Sequence, residues 1–142
     1  MYNVAILIFD TGVFVLVWLV QLVIYPSFCH YTSDMLKNWH KVYTKRVTFV
    51  VLPLMLGQLL FNLFNVISAF SALNMFKLLL IITTWLLTFG IFIPLHAAVD
   101  KAMGKELNPL TKKLVQKNWY RTLIWSVVFL IAVFQVVIPY RF

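Results

Sequence analysis

Tyr25–Arg46, YPSFCHYTSDMLKNWHKVYTKR, is the polar stretch that decides how this chain is read. Long apolar runs, residues 4–25 and 47–70, border it on both sides. It carries two of the three histidines (His30 and His40), the single cysteine Cys29, and a dense set of Trp, Tyr, Lys and Arg. Tyr25-Pro26 predicts the end of the first helix, because proline disfavours helical geometry in the residue before it. Residues 35–46 predict a short amphipathic helix capped by Ser33 or Asp34. Met35, Leu36, Trp39, His40 and Tyr43 fall on one side and Lys37, Lys41 and Lys45 on another, the pattern of a helix lying at a membrane interface. That placement turns His40 and Tyr43 toward the bundle. The plainer reading is an interfacial anchor with an incidental histidine.

Working outward, the rest of the chain is apolar. Of 142 residues 63% are hydrophobic and 11% charged, against about 25% charged in soluble domains. Runs of about twenty nearly uncharged residues mark transmembrane helices, and four are expected: 4–25, 47–70, 75–99 and 118–140. The expected fold is an all-α, four-helix transmembrane bundle occupying residues 1–142 as one domain. The first segment lacks the basic start and the cleavage site of a signal peptide, and is expected to stay in the mature protein. One cysteine excludes an internal disulfide framework. Of twelve Lys and Arg, all but Lys77 and Arg141 lie in or beside the first and third loops. Short basic loops stay in the cytoplasm, so both termini are expected outside. The formal charge of +8 is thereby assigned to topology and to anionic membrane lipids, not to nucleic acid.

The polar residues inside the expected spans sort by depth. Asp10 and Gln21 are about three turns apart on one face of the first helix. Gln58, Asn62 and Asn65 form a stripe on the second, which must face other helices. Pro53 is expected to kink that helix, and Gly57 to permit close approach. Lys77 lies at a depth where it pairs with Asp10. Pro94 is expected to bend the third helix. His96 and Asp100 are one turn apart, so the carboxylate is expected to hold one imidazole nitrogen and leave the other for a ligand. On the fourth helix Asn118, Arg121, Thr122, Trp125 and Phe129 share a face. An outer level thus holds Asp10, Asn62, Asn65, Lys77 and Gln135. An inner level holds Gln21, His30, His40, Tyr43, Arg46, His96, Asp100, Asn118 and Arg121, framed by Trp39, Trp119 and Trp125.

All three histidines fall at the inner level. His30, His40 and His96 with Asp100 suit a transition metal such as zinc or iron, although HExxH, CxxC and ExxH spacings are absent. Haem ligation by one or two of the histidines is a second reading. A third is an anionic or quinone-like ligand held by His, Arg46 and Arg121. A fourth is structural, with histidines bonding backbone carbonyls at helix ends. Cys29 is read as a buried thiol rather than a ligand.

Tyr25-Pro26-x-Phe28, the His40/Tyr43/Arg46 stretch, Pro53-x-Met55, Trp85-Leu-x-Thr88, Pro94-x-His96 and Asn118-Trp119-x-Arg121-Thr122-x-x-Trp125 together resemble a family of small, mostly uncharacterised bacterial four-helix membrane proteins. The likeness spans nearly the whole chain and implies a multi-pass protein of the bacterial inner membrane. An acidic residue is frequent in that family where this chain has Gln58, which implies no proton relay on the second helix. The architecture is also similar to that of anthrone-oxygenase-like membrane proteins, a likeness of fold and not of activity. The leading functional expectation is a cytoplasm-facing histidine site that binds a metal or redox cofactor and acts on a small lipophilic molecule. The alternatives are an accessory subunit whose polar stripes pair with partner helices, as a homo-oligomer or with another membrane protein, and a small transporter using the two polar levels as gates.

Overall fold

The computed structural model describes residues 2–137; the last three residues of the expected fourth span, and Arg141, lie outside them. Four helices are long and apolar enough to cross a membrane: α1 (Val4–His30), α2 (Ser33–Ser68), α3 (Ala72–Lys101) and α4 (Gly104–Val137). Among the described residues there is no strand. Each helix packs on the next and α4 closes back on α1, which gives an up-and-down four-helix bundle. The α1–α2 and α3–α4 junctions share the basic end, and the α2–α3 turn lies at the other.

The helices are longer than expected, for reasons the sequence contains. No Gly or Pro occurs between Ser33 and Leu52, so residues 35–46 are not a separate interfacial helix. They are the first turns of a continuous helix of 36 residues, Ser33–Ser68, about 54 Å long at 1.5 Å per residue. Thr32 stands at its N-cap with no side-chain cap bond, so neither Ser33 nor Asp34 caps it. The third loop likewise shrinks to Ala102 and Met103, because Asn108-Pro109 falls in the first turn of the α-helix Leu107–Val137, where a missing N–H leaves no bond unmade. Gly104 enters this helix at φ 52°, the left-handed region that favours glycine.

Tyr25-Pro26 does not end α1. The helix widens into a π turn at Val20–Ile24, so the Tyr25 N–H reaches back five residues to the Val20 carbonyl. It then runs through Tyr25–Ser27 to a 3-10 turn at Phe28–His30. Pro94 produces the same device. A π turn spans Thr88–Phe92, and the Ile93 N–H bonds the Thr88 carbonyl. In both helices the inserted residue absorbs the proline's missing donor without breaking the helix, and π turns recur at functional sites.

The core has two parts. Val20, Tyr25, Phe28, Tyr43, Phe92, Leu95 and Val99 pack at the basic end. Val13, Val17, Met55 and Trp125 pack at mid-height. Gly57 sets the α1–α2 approach: a methyl group there would fall inside the Phe9 ring, which is itself stacked on Phe61 at 5.3 Å. Gly57→Val is therefore expected to destabilise by about 1–3 kcal/mol. Gly90→Ala, where an added carbon meets nothing within 4 Å, is expected to leave the unfolding midpoint unchanged. Equal midpoints for the two variants would refute this packing.

Candidate functional site

Four side chains from three helices form one hydrogen-bonded chain. The Asp100 Oδ1 lies 2.7 Å from His40 Nδ1. His40 Nε2 lies 2.8 Å from His96 Nδ1, and His96 Nε2 lies 3.0 Å from the Tyr25 hydroxyl. With Asp100 ionised and both imidazoles neutral, the partners set the proton positions. A carboxylate only accepts, so His40 Nδ1 donates to Asp100. Neutral His40 then accepts at Nε2 from His96 Nδ1–H, and His96 accepts at Nε2 from the Tyr25 O–H. Every donation thus points the same way, from Tyr25 to Asp100.

The two π turns sit just ahead of Tyr25 and Ile93, and so immediately precede the segments that carry Tyr25 and His96. His40, 0% exposed, enters between them from α2. This corrects the expectation that Asp100 holds His96 on its own helix: the intervening imidazole takes the carboxylate instead. Phe28, carried inward by the continuation of α1, sets its ring 5.8 Å from His40 and 5.7 Å from Tyr43. Tyr25 is 3% exposed, whereas the Asp100 side chain is 33% exposed. The chain therefore runs from the buried interior to the surface at the basic end.

The interior end borders a cavity of about 390 Å³ between α2 and α3, whose wall Asp100 also reaches at the basic end; this is the small end of the range usual for small-molecule sites. Tyr25, Tyr43, Trp85, His96 and Arg121 are among its walls, with Val47, Val51, Met55 and Phe92. Leu52, Phe89 and Ile93, each about half exposed, border it on the outside of the bundle. Its outer edge is apolar and its inner end is polar. The Arg121 guanidinium lies over the Phe92 ring at 4.1 Å and the Trp125 ring at 4.9 Å. Arg121 Nε and Trp85 Nε1 are both buried donors with no hydrogen-bond partner.

Other expected site residues lie elsewhere. His30 is exposed on the last turn of α1, and no hydrogen bond joins it to His40 or His96. Cys29 is exposed too, not buried. Arg46 and Trp39 are exposed on α2. Among the described residues no group of three His, Cys, Asp or Glu side chains is placed to hold a metal ion. The four-ligand set His30, His40, His96 and Asp100 is thus corrected to a chain of three with His30 outside it. Both ring nitrogens of His40 and of His96 face hydrogen-bond partners. Asn118 belongs to a different cluster: its Nδ2 donates to Gln21 Oε1 at 3.0 Å, beside Thr122.

The outer level is a buried polar network at the α1–α2–α3 contact. Lys77 Nζ lies 2.6 Å from Asp10 Oδ2, the pairing expected from their depths. Gln58 Nε2 donates to Asp10 Oδ1 at 2.8 Å, and Asn62 Nδ2 to the Gln58 carbonyl at 2.8 Å. Trp125 Nε1 donates to Gln58 Oε1 at 3.1 Å, tying this network to the ring beneath Arg121. Gln135 stands apart, bonded to Asn74 Oδ1 at 2.6 Å. Asn65 is only partly buried, and its carbonyl accepts from the Ala69 N–H at the end of α2.

Tyr25 and Phe28 are the site residues that sequence reasoning missed. A proline within an otherwise apolar helix, after a buried aromatic residue, was the available signal. Compared with protein-family models, with curated proteins and with solved structures, the chain shows no match. Chemically, the arrangement can move a proton. If Tyr25 accepts one from a molecule in the cavity and passes its own to His96 Nε2, the His96 Nδ1 proton moves to His40 Nε2. The His40 Nδ1 proton then moves to Asp100. Each imidazole ends neutral in its other tautomer, so no charge is left on the path between Tyr25 and Asp100; the negative charge passes from Asp100 to the molecule in the cavity.

Proposed function

We propose that this is an integral membrane protein that takes a small lipophilic molecule into the α2–α3 cavity and exchanges a proton with it through Tyr25, His96, His40 and Asp100. The observation that carries the reading is the contact of one continuous proton path with a cavity whose outer edge is apolar. Insertion in a bilayer is supported by the outward faces of the helices, where Phe49 and Ile67 are 74% exposed and Leu86 66%; soluble monomers rarely present apolar faces of that extent. The basic end is assigned to the cytoplasm by the charge asymmetry of the loops, with both termini outside and the bacterial inner membrane as the location. Of the motifs on which the resemblance to small bacterial four-helix membrane proteins rests, Tyr25-Pro26-x-Phe28, Pro94-x-His96 and the one containing Arg121 lie at or beside this site. The accessory-subunit reading has less support, because Gln58 and Asn62 are bonded inside the bundle and not offered to a partner.

Photolabelling tests this reading. Decanol carrying a diazirine, added to the protein in nanodiscs, is expected to concentrate its label on peptides containing Thr48, Leu52, Phe89 and Ile93. Ala97→Trp, an indole introduced at the exposed part of the cavity wall, is expected to reduce it severalfold. Labelling spread evenly over all outward helix faces, unchanged by Ala97→Trp, would sink the proposal.

A further inference from the structure

Resting on that reading of the cavity, we infer that its ligand is held as an anion: a lipophilic acid whose oxyanion is the counter-ion of Arg121. Among the described residues Arg121 is the one Lys or Arg on the cavity wall. Among the described residues no carboxylate lies within ion-pair distance of it; Asp10 pairs with Lys77, and Asp100 is held by His40. Its neighbours are instead the Phe92 and Trp125 rings. Ionisable side chains inside a membrane bundle pair with one another or mark a substrate path, and holding a guanidinium partly buried, as Arg121 is, without an ionic partner has a cost. Aromatic faces compensate only part of that cost.

Two further features match an oxyanion. Arg121 Nε and Trp85 Nε1 are donors with no acceptor from the protein, and a carboxylate or enolate offers several lone pairs to such donors. Tyr25, Tyr43 and His96 on the same wall are the entry to the proton path, and Thr44, Thr48, Thr88 and, toward the basic end, Asp100 complete its polar groups. A neutral acid R–OH that gives its proton to Tyr25 becomes R–O⁻ beside Arg121, while the displaced proton reaches Asp100. The O–H bond of the acid breaks, the Asp100 O–H bond forms, and no oxidant or other reagent is needed. The apolar edge formed by Leu52, Phe89 and Ile93 suits the hydrocarbon part of the acid.

The experiment compares diazirine-bearing decanoic acid with diazirine-bearing decanol on the full-length protein in nanodiscs. The acid is expected to label the cavity peptides about tenfold more strongly than the alcohol, the size of one charge-assisted interaction. That preference is expected to disappear in Arg121→Gln, to persist in part in Arg121→Lys, and to fade in the wild type as the pH is lowered until the bound carboxylate is itself protonated. The pH series needs no variant, so it decides even if Arg121→Gln fails to fold. Equal labelling by acid and alcohol at neutral pH would overturn the anion inference and leave the cavity reading standing. Absence of cavity labelling by either probe would instead remove the cavity reading itself.

Discussion

Replacing Lys77 by Met is expected to destabilise the protein by about 3–5 kcal/mol, the usual consequence of stranding one member of a buried ion pair. Lys77 is 0% and Asp10 1% exposed. Asp10 accepts further from Gln58, so its carboxylate has no route to water when the ammonium is gone. The double variant Asp10→Asn/Lys77→Met removes both charges and is expected to recover most of the loss, since two neutral groups leave no unpaired ion. Unfolding in mixed micelles, read as the denaturant midpoint of the four proteins, measures the cycle. A double variant no more stable than Lys77→Met would show that the pair is not the unit proposed. Gln58 also receives Trp125, so loosening this network is expected to disturb the ring under Arg121.

The second large effect is expected at His40. His40→Phe preserves an aromatic ring beside Phe28 and Tyr43 but breaks two of the chain's three links, leaving Asp100 without its imidazole and His96 with Tyr25 alone. The loss at partly buried His96 is expected to cost about 1–3 kcal/mol, whereas Asp100, 33% exposed, still meets water. The route from Tyr25 to the surface is cut as well. Asp100→Asn separates the two consequences. The amide oxygen still accepts from His40 Nδ1, so stability is expected to stay near that of the wild type, but the amide does not take a proton at the end of the path. A His40→Phe protein as stable as wild type, or an Asp100→Asn protein as unstable as His40→Phe, would contradict the hydrogen-bond directions assigned here.

Much of this was legible in the sequence because membrane helices are written in long, uncharged runs. Four helices, their order and the Asp10–Lys77 pair follow from hydropathy and from the high cost of lone charges at depth. The boundaries were less legible. Residues 35–46 have both an interfacial pattern and an unbroken helical one, and only tertiary context selects between them. Prolines misled in one direction: Pro26 reads as a stop, yet a π turn carries α1 beyond it to Phe28. The site was half legible. His40, His96, Asp100, Tyr43 and Arg121 share a level and share the site. His30 and Arg46 share the level too, but their positions on the helix turns point them outward, and a depth argument carries no information about azimuth. Tyr25 looked like punctuation because its neighbour is proline.

The most direct measurement is ¹⁵N NMR of the histidine rings, with the protein labelled only at histidine and held in nanodiscs with and without decanoic acid. Exposed His30 serves as the internal reference for a solvated imidazole. Without ligand, His40 and His96 are expected as neutral, slowly exchanging rings, both protonated at Nδ1 and coupled to each other across their hydrogen bond. With the acid bound, both are expected to switch together to the Nε2–H form, and Tyr25→Phe is expected to abolish the switch. Two rings that resemble His30, or that change independently of each other and of Tyr25, would contradict a proton path between the cavity and Asp100.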